Sequence, residues 1–572
     1  MNTPTTFSIH TGILLVAVCL VSACPGQKTN QTGTAPPPNI LLIVADDLGY
    51  SEIGAFGGEI RTPNIDSLAE RGVTFTNFYA APACSPARSM LLSGVDNHKA
   101  GLGAAEEMVS GRIPLPPLFP PWISRLADLQ RGQPGYEGYL NFRVNSFPAL
   151  LQDVGYRTYM AGKWHLGLEP HQWPAERGFN HSFAMLEGGA SHFGDGWRSV
   201  APKAPAPYIE DQSYVEIPND FYSTTAYTNK IIEWLENDLS ELNPEPFFAY
   251  LAYTAPHDPL HVRDTELDLY RTEYDDGYEQ IASQRLTRMK ALGLVNPDIA
   301  APPLLPMVPA WDELSVDAQA DSSRRMEIYA SMVEVMDQEI GRLLNFLEAR
   351  QSLKNTIVIF MSDNGAAPGN LSFYGFAEDD FDNSDVNMGR PGSFVSYGPG
   401  WATAGSVPFS SFKGSVGEGG IRAPLIFSGP GISRTGIIDT FAHITDLAPT
   451  ILRFAGDDLL HDNDLEPMSG KSLLPVLSDT TDQVRGAEDF IGWEIAGSRG
   501  LRQEHWKLTF RAEPASGGQS GRWALYDLAR DPAEMHDLSG QRPEIYQRLL
   551  ASWEKYVNDN NVILLDDTNS QR

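Results

Sequence analysis

Cys84-Ser-Pro-Ala-Arg88 brings a thiol, a proline and a guanidinium into one turn. Pro86 fits the first turn of a helix, where peptide N–H groups lack partners and face outward. The segment "CSPARSMLLSG" (Cys84–Gly94) therefore reads as a helix whose mouth can receive an anion, with Arg88 adding a fixed positive fork. That arrangement suits attack on an anionic ester, and a thiolate would be a possible nucleophile. Two further pairs offer oxygen. Asp46-Asp47 closes the apolar run "NILLIVADD", and Asp363-Asn364 closes "NTIVIFMSDNG". Brought together, their carboxylates repel unless a cation neutralises them. All four are hard oxygen donors, which favours Ca2+ or Mg2+ over zinc. Either pair alone could simply cap a turn; two strand ends of the same form point to a metal.

Such groups need a scaffold that delivers strand ends to one place. The Val/Ile/Leu-rich runs suit strands buried on both faces, as in parallel sheets. "TPNIDSLAERG" reads as a helix with Thr62 as cap, Pro63 in the first turn and Gly72 at the close. "VTFTNFY" alternates as one strand ahead of Cys84. Helix–strand pairs recur in "SFPALLQDVG" with "RTYMAGK", and in "TTAYTNKIIEWLENDL" with "PFFAYLAY". A long amphipathic stretch, "SSRRMEIYASMVEVMDQEIGRLLNFLEARQ", precedes the strand that ends at Asp363. The expected fold is α/β: a large, mostly parallel mixed sheet between helices, with ligands gathering beyond the carboxyl ends of its strands. After Gly456 the runs shorten to "FIGWEIAG", "RGLRQEHWKLTF" and "RWALYDL", followed by "PEIYQRLLASWEKYVND". This predicts a smaller C-terminal α+β domain (457–572), with an antiparallel sheet and a terminal helix, after a catalytic domain over 39–456. The Pro-rich stretch 111–138 is a candidate rim or lid, and "AEDDFDNSDVN" a solvated acidic loop.

The totals narrow the partners. The 572 residues carry 42 Lys plus Arg against 73 Asp plus Glu, a formal net charge of −31. That field repels nucleic acid and anionic membrane surfaces, so an anionic ligand needs a local basic site. "GILLVAVCLVSAC" is too short to span a bilayer and ends in Val21-Ser22-Ala23-Cys24, similar to the lipobox of bacterial lipoproteins, although no Lys or Arg precedes it. Residues 1–23 are expected to be a signal peptide and 24–38 a flexible tether. An exported, periplasmic or cell-surface protein would follow, touching membrane only through a lipid on Cys24. Cys19 lies in the removed segment, so Cys84 is alone in the fold. In an oxidising compartment an exposed reactive thiol is easily oxidised, which argues that the working group is something else. There is no H-E-x-x-H, no G-x-S-x-G, and "MSGKS" lacks the first glycine of a phosphate loop.

"CSPAR" matches the C-x-P-x-R signature of the type I sulfatases, and "GKWHLG" (Gly162–Gly167) resembles their second signature. The resemblance continues through "PNILLIVADDLGY", "APHDPL", "MSDNGA" and "FKGSVGEGGIRAP" to "LYDLARDPAEMHDL", and its character is similar to the bacterial arylsulfatases. It implies an alkaline phosphatase-like fold and hydrolysis of sulfate monoesters. It also implies that a maturase converts Cys84 to Cα-formylglycine, whose hydrate attacks sulfur with one hydroxyl and expels sulfate with the other. Asp46, Asp47, Asp363 and Asn364, with the modified residue 84, would hold one Ca2+, and Arg88 would hold the hydrate. Lys163, His165, His257 and Lys413 would form the sulfate clamp and the acid/base groups. In that scheme His257 protonates the leaving oxygen and His165 takes the proton from the remaining hydroxyl. The substrate would be a small-molecule or carbohydrate sulfate ester. The alternatives are a phosphomonoester or phosphonate monoester hydrolase of the same superfamily, and a non-catalytic lipoprotein that binds sulfated glycans.

Overall fold

Alternate residues of the strand "NILLIVA" bury into different cores, and this sets the layering of the molecule. A computed structural model describes residues 37–111, 120–195, 204–242, 244–369, 380–456, 465–512 and 521–565. The expected signal peptide, most of the tether including Cys24, and residues 112–119 of the Pro-rich stretch lie outside that set. Strand β1 (Asn39–Ala45) is buried throughout. Leu41, Ile43 and Ala45 pack into one apolar cluster, and Ile40, Leu42 and Val44 into the other. A sheet with both faces covered needs such unbroken apolar strands.

The remaining strands, in chain order, are β2 (Val73–Phe75), β3 (Phe78–Tyr79), β4 (Arg157–Lys163), β5 (His181–Met185), β6 (Tyr208–Glu210), β7 (Ser213–Val215) and β8 (Phe247–Ala252). They continue as β9 (Thr356–Ser362), β10 (Leu425–Ser428), β11 (Gly436–Ile438), β12 (Ala442–His443), β13 (Phe490–Ile495), β14 (Ser498–Gln503), β15 (Trp506–Ala512) and β16 (Gly521–Asp527). Ten of them form one mixed sheet in the order β11-β2-β10-β9-β1-β8-β4-β5-β6-β7. At its centre β9, β1, β8, β4 and β5 run parallel, so their carboxyl ends open on the same edge. The last four strands form the antiparallel sheet β13-β14-β15-β16. The terminal helix Pro543–Asn560 covers it through Leu549, Trp553 and Tyr556.

Two expected strands are divided. "VTFTNFY" breaks at Thr76-Asn77, leaving β2 in the large sheet while β3 pairs with β12. "RGLRQEHWKLTF" turns at Glu504-His505, where Glu504 takes a left-handed φ of 53°, and so supplies both β14 and β15. Helix α1 (Pro63–Glu70) starts as expected after Thr62. That side chain does not cap it, however: Thr62 Oγ1 accepts from Gly54 N and donates to Asp66. In the described part of the acidic loop, 380–387, no residue is buried. Within the Pro-rich stretch, the helix Pro121–Gln130 buries Trp122, Ile123 and Leu126 against Met108, Val109, Tyr136 and Leu565. Among the described residues, no helix is long and apolar enough to cross a membrane.

Candidate active site

Helix α2 (Cys84–Ser93) begins at the cysteine, and all its residues are buried. Cys84 is a free thiol, 4% exposed. Its Sγ lies 3.4 Å from Asp46 Oδ1, 3.4 Å from Asp47 Oδ1 and 3.1 Å from Lys413 Nζ. The β1 and β9 ends are laced by their backbones: Asp363 N donates to Ala45 O, and Asp47 N donates to Asp363 Oδ1. Asp47 sits at φ 65°, a left-handed turn that Asp tolerates better than most residues and that breaks the strand path at this point. Every site residue expected from the sequence is therefore at, or one loop beyond, the carboxyl edge of the sheet.

Three cations face the three carboxylates. Arg88 gives Nε and Nη2 to Asp363 Oδ2 at 3.0 and 2.8 Å, and Nη1 to Lys163 O at 3.0 Å. Lys163, fully buried at the end of β4, places Nζ 2.7 Å from Asp46 Oδ2. Gly162 permits this approach: at φ 124°, a Cβ there would stand 1.8 Å from Ala252 O on β8. Lys413 Nζ reaches both oxygens of Asp47 at 2.7 Å and is 20% exposed, so it lies nearest the mouth. Burial works against the Asp46 charge, but Lys163, His257, Arg88 and Lys413 outweigh it and hold the carboxyl well below the usual range. Burial and then the Asp47 carboxylate push the Cys84 thiol up, with Lys163 and Lys413 only partly offsetting them. The residue stays a neutral thiol, a poor nucleophile as it stands.

The two histidines differ. His257 follows β8, and its Nδ1 faces Asp258 O at 2.6 Å and Asp258 Oδ1 at 3.0 Å, both acceptors. Nδ1 therefore carries a proton, and Nε2 points to Asp47 Oδ2 at 3.4 Å. His192 Nε2 donates to the His257 carbonyl at 3.0 Å and fixes the backbone behind it. Asp258 is buried against His257 and Ser396. It orients the imidazole. His165 follows β4 at φ 54°, buried, with Nε2 2.9 Å from Glu107 Oε1. Burial lowers His165 more than Glu107 raises it.

Motif reasoning passed over Glu107. It lies in "GAAEEMV", where a pair of acids opening a helix is ordinary dipole chemistry and carries no signature of a site. It also passed over the support of the Lys413 loop. Lys413 N donates to Ala366 O and Gly414 N to Pro82 O, and farther along Glu418 is clamped by the C-terminal sheet. Lys507 of β15, fully buried, sets Nζ 2.7 Å from Glu418 Oε1 and 3.0 Å from Glu534 Oε1, while Tyr79 Oη donates to Glu418 Oε2 at 2.6 Å.

A cation fits these residues. Asn364 Nδ2 donates to Asp47 Oδ1 and Gly365 O, while Asn364 Oδ1 is buried with no hydrogen-bond partner. A buried carbonyl oxygen without a donor, beside three carboxylates, is an acceptor set that a hard divalent ion would complete. The ligand atoms of Asp46, Asp47, Cys84 and His257 lie within 4.8 Å of one another.

Comparison with known proteins agrees with the geometry. The sulfatase family model matches residues 38–457, and the model for the C-terminal part of N-sulphoglucosamine sulphohydrolase matches residues 413–560. The chain is 39% identical over 562 residues to an uncharacterized sulfatase of Schizosaccharomyces pombe, covering 94% of this chain and 96% of that one. It is 40% identical over 446 residues to an arylsulfatase of Klebsiella aerogenes, covering 76% and 91% respectively. The crystal structure of Ps i-CgsB, in complex with a neocarrahexaose, shares the fold at a TM-score of 0.63 and 24% identity, over 92% of this chain and 94% of that one. With family blocks spanning the chain and their charged residues gathered around one buried cysteine, this protein belongs to the type I sulfatases, sulfuric ester hydrolases of the alkaline phosphatase superfamily.

Proposed function

We propose that the chain hydrolyses the sulfate monoester of a small molecule or carbohydrate, in the manner of an arylsulfatase, using formylglycine made from Cys84 and one Ca2+. The observation that carries this reading is the convergence of Asp46, Asp47 and Lys413 on a single buried sulfur at 3.1–3.4 Å. A neutral thiol there has no evident work, whereas an aldehyde hydrate would present a hydroxyl at the same point. Asp46, Asp47, Asp363 and Asn364 would hold the ion. When bound, Ca2+ would supply Lewis-acid stabilisation of charge on a sulfuryl oxygen. Lys163 and Lys413, now paired with Asp46 and Asp47, would then be available to bind the anionic ester. Both would then stabilise negative charge as the S–O bond breaks. His257, its ring fixed through Nδ1, presents Nε2 to donate a proton to the leaving alcohol. His165 serves as the opposite partner and accepts one. Export and lipid attachment at Cys24 belong to the same reading, as does a maturase that acts on the "CSPAR" segment.

Mass spectrometry of the peptide spanning Cys84, from active enzyme produced in its native host, is expected to find the aldehyde. An unmodified cysteine in fully active material would reject the proposal. A kcat/KM for an aryl phosphate above that of the matched aryl sulfate would move the assignment to the phosphoester branch.

A further inference from the structure

Glu107 Oε1 is 2.9 Å from His165 Nε2. A carboxylate can only accept, so the ring proton belongs on Nε2, and Nδ1 is left with its lone pair. Nδ1 is buried and has no hydrogen-bond partner. Nε2 is held by proximity to the carboxylate at 2.9 Å and not by a well-aligned hydrogen bond. Two features of the fold are shaped around this pair. The backbone of His165 is held left-handed, with its N–H donated to Leu186 O at 3.2 Å. Across from it Gly188 leaves the space open: a Cβ there would stand 2.2 Å from Glu107 Oε1 and 2.8 Å from His165 Cε1. The short helix Glu106–Val109 that carries the carboxylate is braced by Trp122 and Leu126 of the neighbouring helix.

We propose that Glu107 is a positioning residue for His165: it orients the imidazole and fixes its tautomer so that Nδ1 takes up a proton during turnover. The inference rests on the sulfatase reading above. The proton passes from a hydroxyl in the site to the Nδ1 lone pair, the ring becomes imidazolium, and the carboxylate faces the N–H on its other side. The charges around the ring are the carboxylates of Glu107 and Glu106 and the cations of Lys163 and Arg88. Burial, aided by Lys163 and Arg88, outweighs the upward pull of Glu107 and keeps the imidazole neutral near pH 7, the form that can accept a proton. Loss of the Glu107 charge removes an upward influence on His165, so the acid limb of kcat should move to lower pH.

The test uses full-length enzyme whose residue 84 has been checked for maturation. Glu107→Gln is expected to lower kcat roughly 10- to 10²-fold, with KM little changed and the acid limb displaced downward in pH. Glu107→Asp should restore part of the rate. In a His165→Gln background, Glu107→Gln should cost nothing more. Apart from turnover, ¹⁵N NMR of the histidine rings should show the Nε2–H tautomer for His165 in the parent and a mixture in Glu107→Gln. If Glu107→Gln does not fold, Glu107→Asp carries the test: the shortened carboxylate must lower kcat and populate a second His165 ring tautomer by ¹⁵N NMR. Parental kcat with an unmoved acid limb in a matured, folded variant overturns the assignment. A parental enzyme that releases no sulfate overturns the reading beneath it instead.

Discussion

His257 and His165 enter the same centre from neighbouring strands and are held by opposite nitrogens. His257 is gripped at Nδ1 by Asp258 and shows Nε2 to Asp47; His165 is met at Nε2 by Glu107 and keeps Nδ1 free. Their electrostatic settings also diverge. Burial disfavours charge on both rings, but Asp47 and Asp46 raise His257 above its ordinary value, whereas Lys163 and Arg88 add to the depression of His165. One residue type is thereby prepared for two proton duties by the balance of burial and charge around each ring.

The sharpest way to break that contrast is to vary the leaving group. Removing His257 as His257→Ala should lower kcat by ~10²–10⁴ on aryl sulfates with strongly basic leaving groups, and progressively less as the leaving phenol becomes more acidic. His165→Ala should show no such slope. Equal slopes for the two, read from kcat/KM across a graded series, would erase the distinction. Next come the two ammonium groups beside the cysteine: Lys163→Ala and Lys413→Ala should each lower kcat by ~10²–10³, measured on one aryl sulfate. Near-parental turnover of Lys163→Ala would remove it from the sulfate clamp. The smallest effect asks whether the charge contrast is local. Glu52 lies outside both rings' surroundings, buried among Gly49 N, Tyr329, Tyr397, Arg285 and the repelling Glu59. Burial, against Arg285, pushes it up from 4.5 to about 7. The folded state then keeps a proton that the unfolded chain releases, so stability is greatest below the unfolded value and falls as pH rises toward about 7. The loss is on the order of 3 kcal/mol at most. Denaturant unfolding of Glu52→Gln should lack that fall, while kcat stays near the parental value. An unchanged pH slope would place the titration elsewhere.

Much of this was legible from residue order because the strands are buried on both faces. A run such as "NILLIVA" cannot alternate polar residues there, so it announces itself, and the carboxylates at its end have one place to go. The signature residues Cys84, Arg88, Lys163, His165, His257 and Lys413 likewise fall where the sheet edge gathers them. What escaped was set by tertiary contact. The break at Thr76-Asn77 depends on β3 finding β12, which lies hundreds of residues away in the chain and leaves no local trace. Glu107 meets His165 only because the helix Pro121–Gln130 braces its short helix, and because Gly188 has no side chain. Neither cause has a period or a motif.

The buried ammonium of Lys507, wedged between Glu418 and Glu534, makes the tail of the chain a keystone for the reaction centre. Trimming the protein after its large sheet to obtain a minimal enzyme would take Lys507 from Glu418, leave it with Arg422, and slacken the loop that delivers Lys413. Damage far downstream would then show up in assays as faulty chemistry, even where the cysteine and its carboxylates were untouched.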